Sequence, residues 1–484
     1  MNYVLDGLKP QNVMRYFELL TRIPRGSGNE QEVSDYLVNF AKNLNLEVIQ
    51  DDHNNIIIKK PATKGYENAP SVILQGHMDI VCVKEEGLEF DFEKDAIDIY
   101  VDGDFIKTRG TTLGADNGIA VAMAMAILDD ETLNHPAITA LITTAEETGM
   151  DGVLGLEAGI VSGDILINID SEEEGTALAS CAGGINSMIN IKTTLVNSVE
   201  SDKAFKITVD GLHGGHSGME INKNRGNAIK LLGRVLEKLN NSLGMSIASI
   251  RGGEKMNAIA KLAEAVITIN CNEEELFNNI IKSCYDDFKI EYQTSDKGVI
   301  VTCTDVEMPS KVFDKIATDA VISSLRLVHF GVNTMSNDIK GLVESSNNLG
   351  IIETLDGEVV ITNAIRSSVR SLKEELIARD KLIAKLCGGS HSTLADYPEW
   401  RFKVESGIRD IMKATYKELN NEELKIDAIH AGLECGLLIE KVGDIDMISI
   451  GPNMHDVHTP MEKVSISSTE RVYNFLVEVL KRVK

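Results

Sequence analysis

The sequence predicts an α/β fold: a largely parallel sheet with helices on both faces, interrupted by an inserted α+β segment. Three observations lead there. Helix and strand signals alternate from the N-terminus to about residue 183, and strands separated by helices pair in parallel. Residues 184–398 then change character, with two similar passages of strand, helix, strand and helix. From residue 399 the first pattern resumes.

Taken in order, residues 10–20 and 30–44 space their apolar side chains as helices do, and 72–74 is a short buried strand. Residues 117–128 are Ala/Met-rich and helical, while 137–143 and 165–169 are strands rich in Ile, Leu and Thr. The first middle passage runs from Ala204 through a helix at 227–239 to Ile269. The second begins near Gly298 and passes through a helix at 310–327 to Arg370. Beyond it come a helix at 405–418, a strand at 447–450 and a helix at 467–483. The strand at 447–450 leads to His458, which joins ligands of the first region. Residues 1–183 and 399–484 are therefore expected to form one catalytic domain, with 184–398 inserted as a second domain.

Composition narrows the function classes. A chain of 484 residues exceeds one ordinary core. Its net charge of −26 leaves no basic stripe to neutralise phosphates, so neither nucleic acid nor an anionic membrane surface is an expected partner. Seven cysteines stand singly, with no Cys-x-x-Cys, which points away from a disulfide framework and a zinc knuckle. The residues after Met1 show no basic and apolar leader, and no apolar run reaches the ~20 residues of a membrane span. A cytoplasmic location is expected.

Five metal-seeking side chains stand at the ends of apolar runs: His77, Asp116, Glu147, Asp170 and His458. Two imidazoles and three carboxylates suit two zinc ions, with manganese or cobalt as alternatives, one carboxylate bridging the pair. Glu146 lies beside Glu147, and metal-assisted hydrolysis needs such a second acid to take the proton of the attacking water. In an open sheet, ligands gather outside the carboxyl ends of the strands, where His77, Glu146, Glu147 and Asp170 all fall. Each motif has a plainer reading. A lone His77 is more often a surface residue, but Asp79 two residues on can accept its second N–H. Asp116 is equally a helix N-cap. The Glu146–Glu147 pair is otherwise a solvated acidic loop; at a strand end, successive side chains diverge, so one can face metal and the other water.

The motifs together resemble a known family. They are Gln75-Gly76-His77-Met78-Asp79, Thr112-Leu113-Gly114-Ala115-Asp116-Asn117-Gly118, Glu146-Glu147-Thr148-Gly149, Gly214-Gly215-His216-Ser217-Gly218, His430-Ala431-Gly432-Leu433-Glu434-Cys435-Gly436 and His458-Thr459-Pro460. Over essentially the whole chain they resemble the aminoacyl-histidine dipeptidases, or cytosol non-specific dipeptidases. These belong to the dinuclear zinc metallopeptidase clan that includes aminoacylase and carboxypeptidase G. The resemblance implies that Asp116 bridges two ions, His77 and Asp170 completing one site and Glu147 and His458 the other. It makes Glu146 the general base, sets Asp79 behind His77, and implies a cis peptide at Asp116–Asn117. It favours His458 over His455, because a small residue, Pro and then Glu462 follow.

The inserted segment resembles the family's lid. His216 would then polarise the scissile carbonyl, although a Gly-rich hairpin with an incidental histidine is an equal reading. Asn257 resembles the family's substrate-binding Asn, with Ala260 where the family often has Pro. Arg366 is the candidate anchor for the substrate carboxylate, with Arg370 as its competitor, and Gly432 would bring its backbone near the substrate. The implied activity is hydrolysis of dipeptides, including carnosine-type substrates ending in histidine, by water activated between the two metals. An aminotripeptidase or N-acyl-amino-acid deacylase on the same centre is the alternative. A catalytically silent peptide-binding protein is the alternative from another class. A homodimer is compatible with the resemblance.

Overall fold

The computed structural model describes residues 3–484. They form two compact units: one of the chain up to Ser180 with Phe402–Ala428 and Leu433–Lys484, the other of Cys181–Arg401 with Ile429–Gly432.

In the first unit an eight-stranded sheet has four central strands, Ile138–Thr143, Val72–His77, Ile165–Asn168 and Asp446–Ser449, side by side and parallel. Antiparallel strands flank this centre, with Glu47–Gln50 and Ile56–Lys60 on one side and Thr176–Cys181 on the other. The α/β class and the parallel centre are as expected. The central strands are short apolar runs because both faces of a parallel sheet are covered; Val72–His77 is buried along its whole length. Helix Ala115–Asp129 is apolar all round and almost wholly buried, which places it inside the unit. Helices Gln11–Leu20, Gly407–Asn420 and Ile466–Arg482 are amphipathic and bury one face each. Register aligns the strand ends: His77 pairs with Thr143, Gln75 with Asn168, and Asn168 with Ser449.

The second unit is an antiparallel sheet of nine strands. Helices Ala228–Ser242 and Glu274–Glu291 alternate with the strands of one half, and Lys315–Leu327 and Arg370–Leu386 with those of the other. Residues 310–327 are not one helix: Lys311–Phe313 is a strand, and the helix starts after Asp314. The Asp314 carboxylate accepts from the Ala317 N–H, a cap that fixes the start there. Residues Ile429–Gly432 are held in this unit by the Ala182 N–H, which bonds the carbonyls of Ile429 and Ala431. Among the described residues, no helix is long and apolar enough to cross a membrane.

Candidate metal centre

The first unit gathers seven of the sequence-derived residues at the carboxyl edge of its sheet. His77 ends its strand and is 1 % exposed. Its Nδ1 faces the Asp79 carbonyl at 3.2 Å and the Asp79 carboxylate at 3.4 Å, while Nε2 faces Asp116 Oδ1 at 3.2 Å and Asp170 Oδ1 at 3.5 Å. The other oxygen of Asp116, Oδ2, lies 3.2 Å from His458 Nε2, and that nitrogen lies 3.0 Å from Glu147 Oε1. Asp116 thus turns one oxygen to each imidazole. Its side chain makes no helix cap. His455 instead meets the Phe105 ring edge-on.

This donor set fits a pair of divalent ions. Atoms sharing one tetrahedral ion at about 2.0–2.2 Å lie about 3.3–3.6 Å apart, close to the spacings just given. The trios His77/Asp116/Asp170 and Asp116/Glu147/His458 each converge within 4.8 Å. The protons show what charge the centre wants. Burial opposes a proton on His77, but Asp170, Asp116 and Asp79 raise its pKa well above the usual value. Hydrogen bonds to Asp116 and Glu147 push His458 up to about 10. Burial and the neighbouring carboxylates push Asp170 up to about 6. Unneutralised carboxylates here recruit positive charge.

Glu146 and Glu147 do not prolong a strand. They sit in a 3-10 turn, Glu146–Thr148, entered through Ala145 at φ 52°. The two side chains still diverge, because that helix has about three residues per turn. Asp79 braces the turn, accepting from the N–H groups of Glu146 (3.1 Å) and Glu147 (3.3 Å) and from the Ser27 hydroxyl (2.7 Å). It therefore orients both an imidazole and the acid pair. Burial, with Asp170, Glu434 and Glu147 nearby, pushes Glu146 up to about 9 against the pull of His77.

The loop carrying Asp116 is fixed by residues to which no function had been assigned. The Asp116–Asn117 peptide is cis. Buried Glu462 takes the backbone N–H groups of Leu113, Gly114, Ala115 and Asp116 at 2.8–3.4 Å. Buried Arg25 donates to the carbonyls of Met78 and Gly114, both at 2.7 Å, and Gly118 leaves room for its guanidinium. Asn117 links the His77 N–H (3.2 Å) to the Ile169 carbonyl (2.7 Å). The run from His458 to Glu462 was a usable sequence signal for Glu462; Arg25 carried none.

The second unit gathers the remaining four. The Gly218 and Met219 N–H groups donate to His216 Nδ1 at 3.2 and 3.1 Å, so its proton sits on Nε2 and that edge is a donor. Burial and Arg366 lower its pKa, which keeps the ring neutral. Asn257 and Arg366 line one cavity of about 460 Å³ with Tyr397, Asn186 and Lys255. Arg366 Nη1 donates to the Tyr397 hydroxyl at 2.8 Å, and no carboxylate pairs with Arg366 among the described residues. Arg370 instead pairs with Glu399. A side chain at Gly432 would meet the Tyr397 ring at 2.9 Å.

Comparison with known proteins places this geometry. Residues 73–482 match the model of Peptidase family M20/M25/M40. The chain is 37 % identical over 479 residues to the cytosol non-specific dipeptidase of Escherichia coli K12, covering 99 % of each. It superposes on the crystal structure of aminoacylhistidine dipeptidase from Vibrio alginolyticus with a TM-score of 0.96 and 34 % identity, covering 100 % of this chain and 99 % of that one. Aminopeptidase PepT from Bacillus cereus shares the fold at 15 % identity and a TM-score of 0.57, covering 98 % of this chain and 99 % of that one.

Proposed function

The chain belongs to Peptidase family M20/M25/M40, and on that premise we propose a metal-dependent exopeptidase that hydrolyses dipeptides, including those ending in histidine. The observation that carries this reading is Asp116, whose two oxygens each face a different imidazole, with Glu146 converging on His77 and Glu147. Two divalent ions, zinc by the mixed imidazole and carboxylate donors, would supply Lewis-acid polarisation of the carbonyl and a lowered pKa for water.

The rest falls to side chains. Glu146 is the general base: it shares the turn with Glu147 and its carboxylate converges with His77 and Glu147, so it can take a proton from the attacking water and hand it to the leaving amine. Asp79 keeps the His77 proton on Nδ1, leaving Nε2 free for a ligand role. His216 presents Nε2–H, the tautomer needed to donate to a carbonyl oxygen as it gains charge. Arg366, unpaired with any acid of its own unit, takes the substrate carboxylate. Asn257 and the backbone at Gly432 complete the substrate contacts, and the inserted unit acts as a lid. A cytoplasmic location and a homodimer belong to the same reading.

The test is a panel of dipeptides, tripeptides and N-acetyl amino acids, offered to zinc-loaded and chelator-stripped protein. Dipeptides should be the best substrates, and stripping should abolish turnover. Preferred cleavage of tripeptides or N-acetyl amino acids would overturn the substrate class; full activity after stripping would overturn the metal.

A further inference from the structure

Glu434 opens helix Glu434–Val442, is 1 % exposed, and has been given no role so far beyond its charge near Glu146. Its Oε2 accepts from Gln75 Nε2 at 2.6 Å and from the Thr143 hydroxyl at 2.8 Å. Gln75 Oε1 in turn accepts from Asn168 Nδ2 at 2.5 Å. Asn168 Oδ1 accepts from the Ser449 hydroxyl, and the Ser449 and Ser171 hydroxyls lie 2.9 Å apart. Since Ser449 spends its proton on Asn168, Ser171 must donate to Ser449. The direction of every bond follows from the last acceptor. Oε2 accepts from both Gln75 and Thr143, so the Gln75 amide turns its NH2 toward Glu434 and its carbonyl toward Asn168, and so on to Ser171.

This row replaces apolar packing at the ends of the His77, Thr143, Asn168 and Ser449 strands, whose other residues are mostly aliphatic. Buried polar side chains in such a place are costly unless each is satisfied. The placement is also specific. Gln75 and Asn168 are register partners; Gln75 shares a sheet face with His77, and Asn168 ends the strand that leads to Asp170. Thr143 is the register partner of His77, and Ser171 follows Asp170. The row therefore ties together the strand ends that carry His77 and Asp170. Neither Glu147 nor His458 belongs to it.

We propose that Glu434 is a positioning residue: as the terminal acceptor of the Ser171–Ser449–Asn168–Gln75 row, it holds His77 and Asp170 at the spacing one of the two ions requires. The proposal rests on the dinuclear dipeptidase reading. Removing the acceptor frees the Gln75 amide and Thr143 to turn, and through their strands loosens one ion site while leaving the other intact. Outer partners of metal ligands typically govern affinity or activity by about 10- to 100-fold.

The experiment is stepwise Zn²⁺ titration of metal-stripped full-length protein by calorimetry with a competing chelator, alongside kcat and KM on a dipeptide. Asp170→Asn identifies the step belonging to the His77 site. Glu434→Leu, similar in bulk but unable to accept, should weaken that step at least tenfold and lower kcat at least tenfold. The other step should stay within twofold of the parent and KM within threefold. Glu434→Gln, which can still accept on one oxygen, should return both quantities to within threefold of the parent. Should Glu434→Leu fail to fold, Thr143→Val, which removes one of the two donors, should weaken the same step by at least threefold. Unchanged affinities, or two steps weakened alike, would overturn the inference alone. A parent chain that binds fewer than two ions would overturn the dinuclear reading and this inference with it.

Discussion

Replacing Arg366 by Ala tests how the substrate is measured. Nη1 is committed to the Tyr397 hydroxyl, and Nε is buried with no partner. The free edge is therefore Nε with Nη2, the side-on fork that receives a carboxylate bidentately. Each charge-assisted hydrogen bond contributes on the order of 1.5–3 kcal/mol, so two would sum to about 3–6 kcal/mol in a dry site. Arg366 is only partly buried, and solvent reduces that to about 1.5–3 kcal/mol, a loss of at least tenfold in kcat/KM. The assay compares each free dipeptide with its C-terminal amide on parent and variant. The parent should prefer the free acid by at least tenfold, and Arg366→Ala should abolish the preference by losing activity on the acid alone. Arg366→Lys should recover little, because an ammonium offers no planar fork. Amides cleaved as fast as acids by the parent would refute the anchor, and so would a preference that survives in Arg366→Ala.

Other outcomes follow from the first unit and from His216. Glu146→Gln should keep both ions and lose at least two or three orders of magnitude in kcat, whereas Glu147→Gln should lower occupancy of one ion; near-normal turnover by Glu146→Gln would exclude it as the base. His216→Ala should leave both ions bound and cut kcat by roughly 10²–10³, read by steady-state kinetics beside metal analysis; a harmless substitution would remove the oxyanion role. Metal binding should expel protons, because metal needs a neutral imidazole and His458 in the ion-free chain holds its proton up to about pH 10. Apparent zinc affinity should therefore rise with pH, by about tenfold per unit for each proton released, between pH 6 and 8. Calorimetry in buffers of different protonation enthalpy counts those protons, and a pH-independent affinity would contradict the charge balance described here.

Local pattern accounts for what could be read from the sequence. His77, Asp116, the Glu146–Glu147 pair and Asp170 each follow a short apolar run or precede a helix, and strand ends of a parallel sheet lie on one edge whatever the loops do. That reasoning located the candidate donors without showing their contacts. The turn at Glu146 is 3-10 rather than extended because Ala145 takes a left-handed conformation, a choice made by the packing around it. Within residues 310–327 the strand Lys311–Phe313 is too short for periodicity to separate it from the helix behind it. Arg25, Glu434 and Glu462 escaped functional assignment for a different reason. Glu434 meets Gln75 across 359 positions, and Glu462 meets Leu113 across 349. No local spacing encodes such partners, since they depend on which strand ends become neighbours once the sheet is assembled. The tautomer of His216 and the pairing of Arg370 with Glu399 are likewise consequences of packing. Sequence by itself determined the donor chemistry and the edge on which it gathers; tertiary structure decided orientation, proton placement and the supporting shell, because these follow from contacts between residues far apart in the chain.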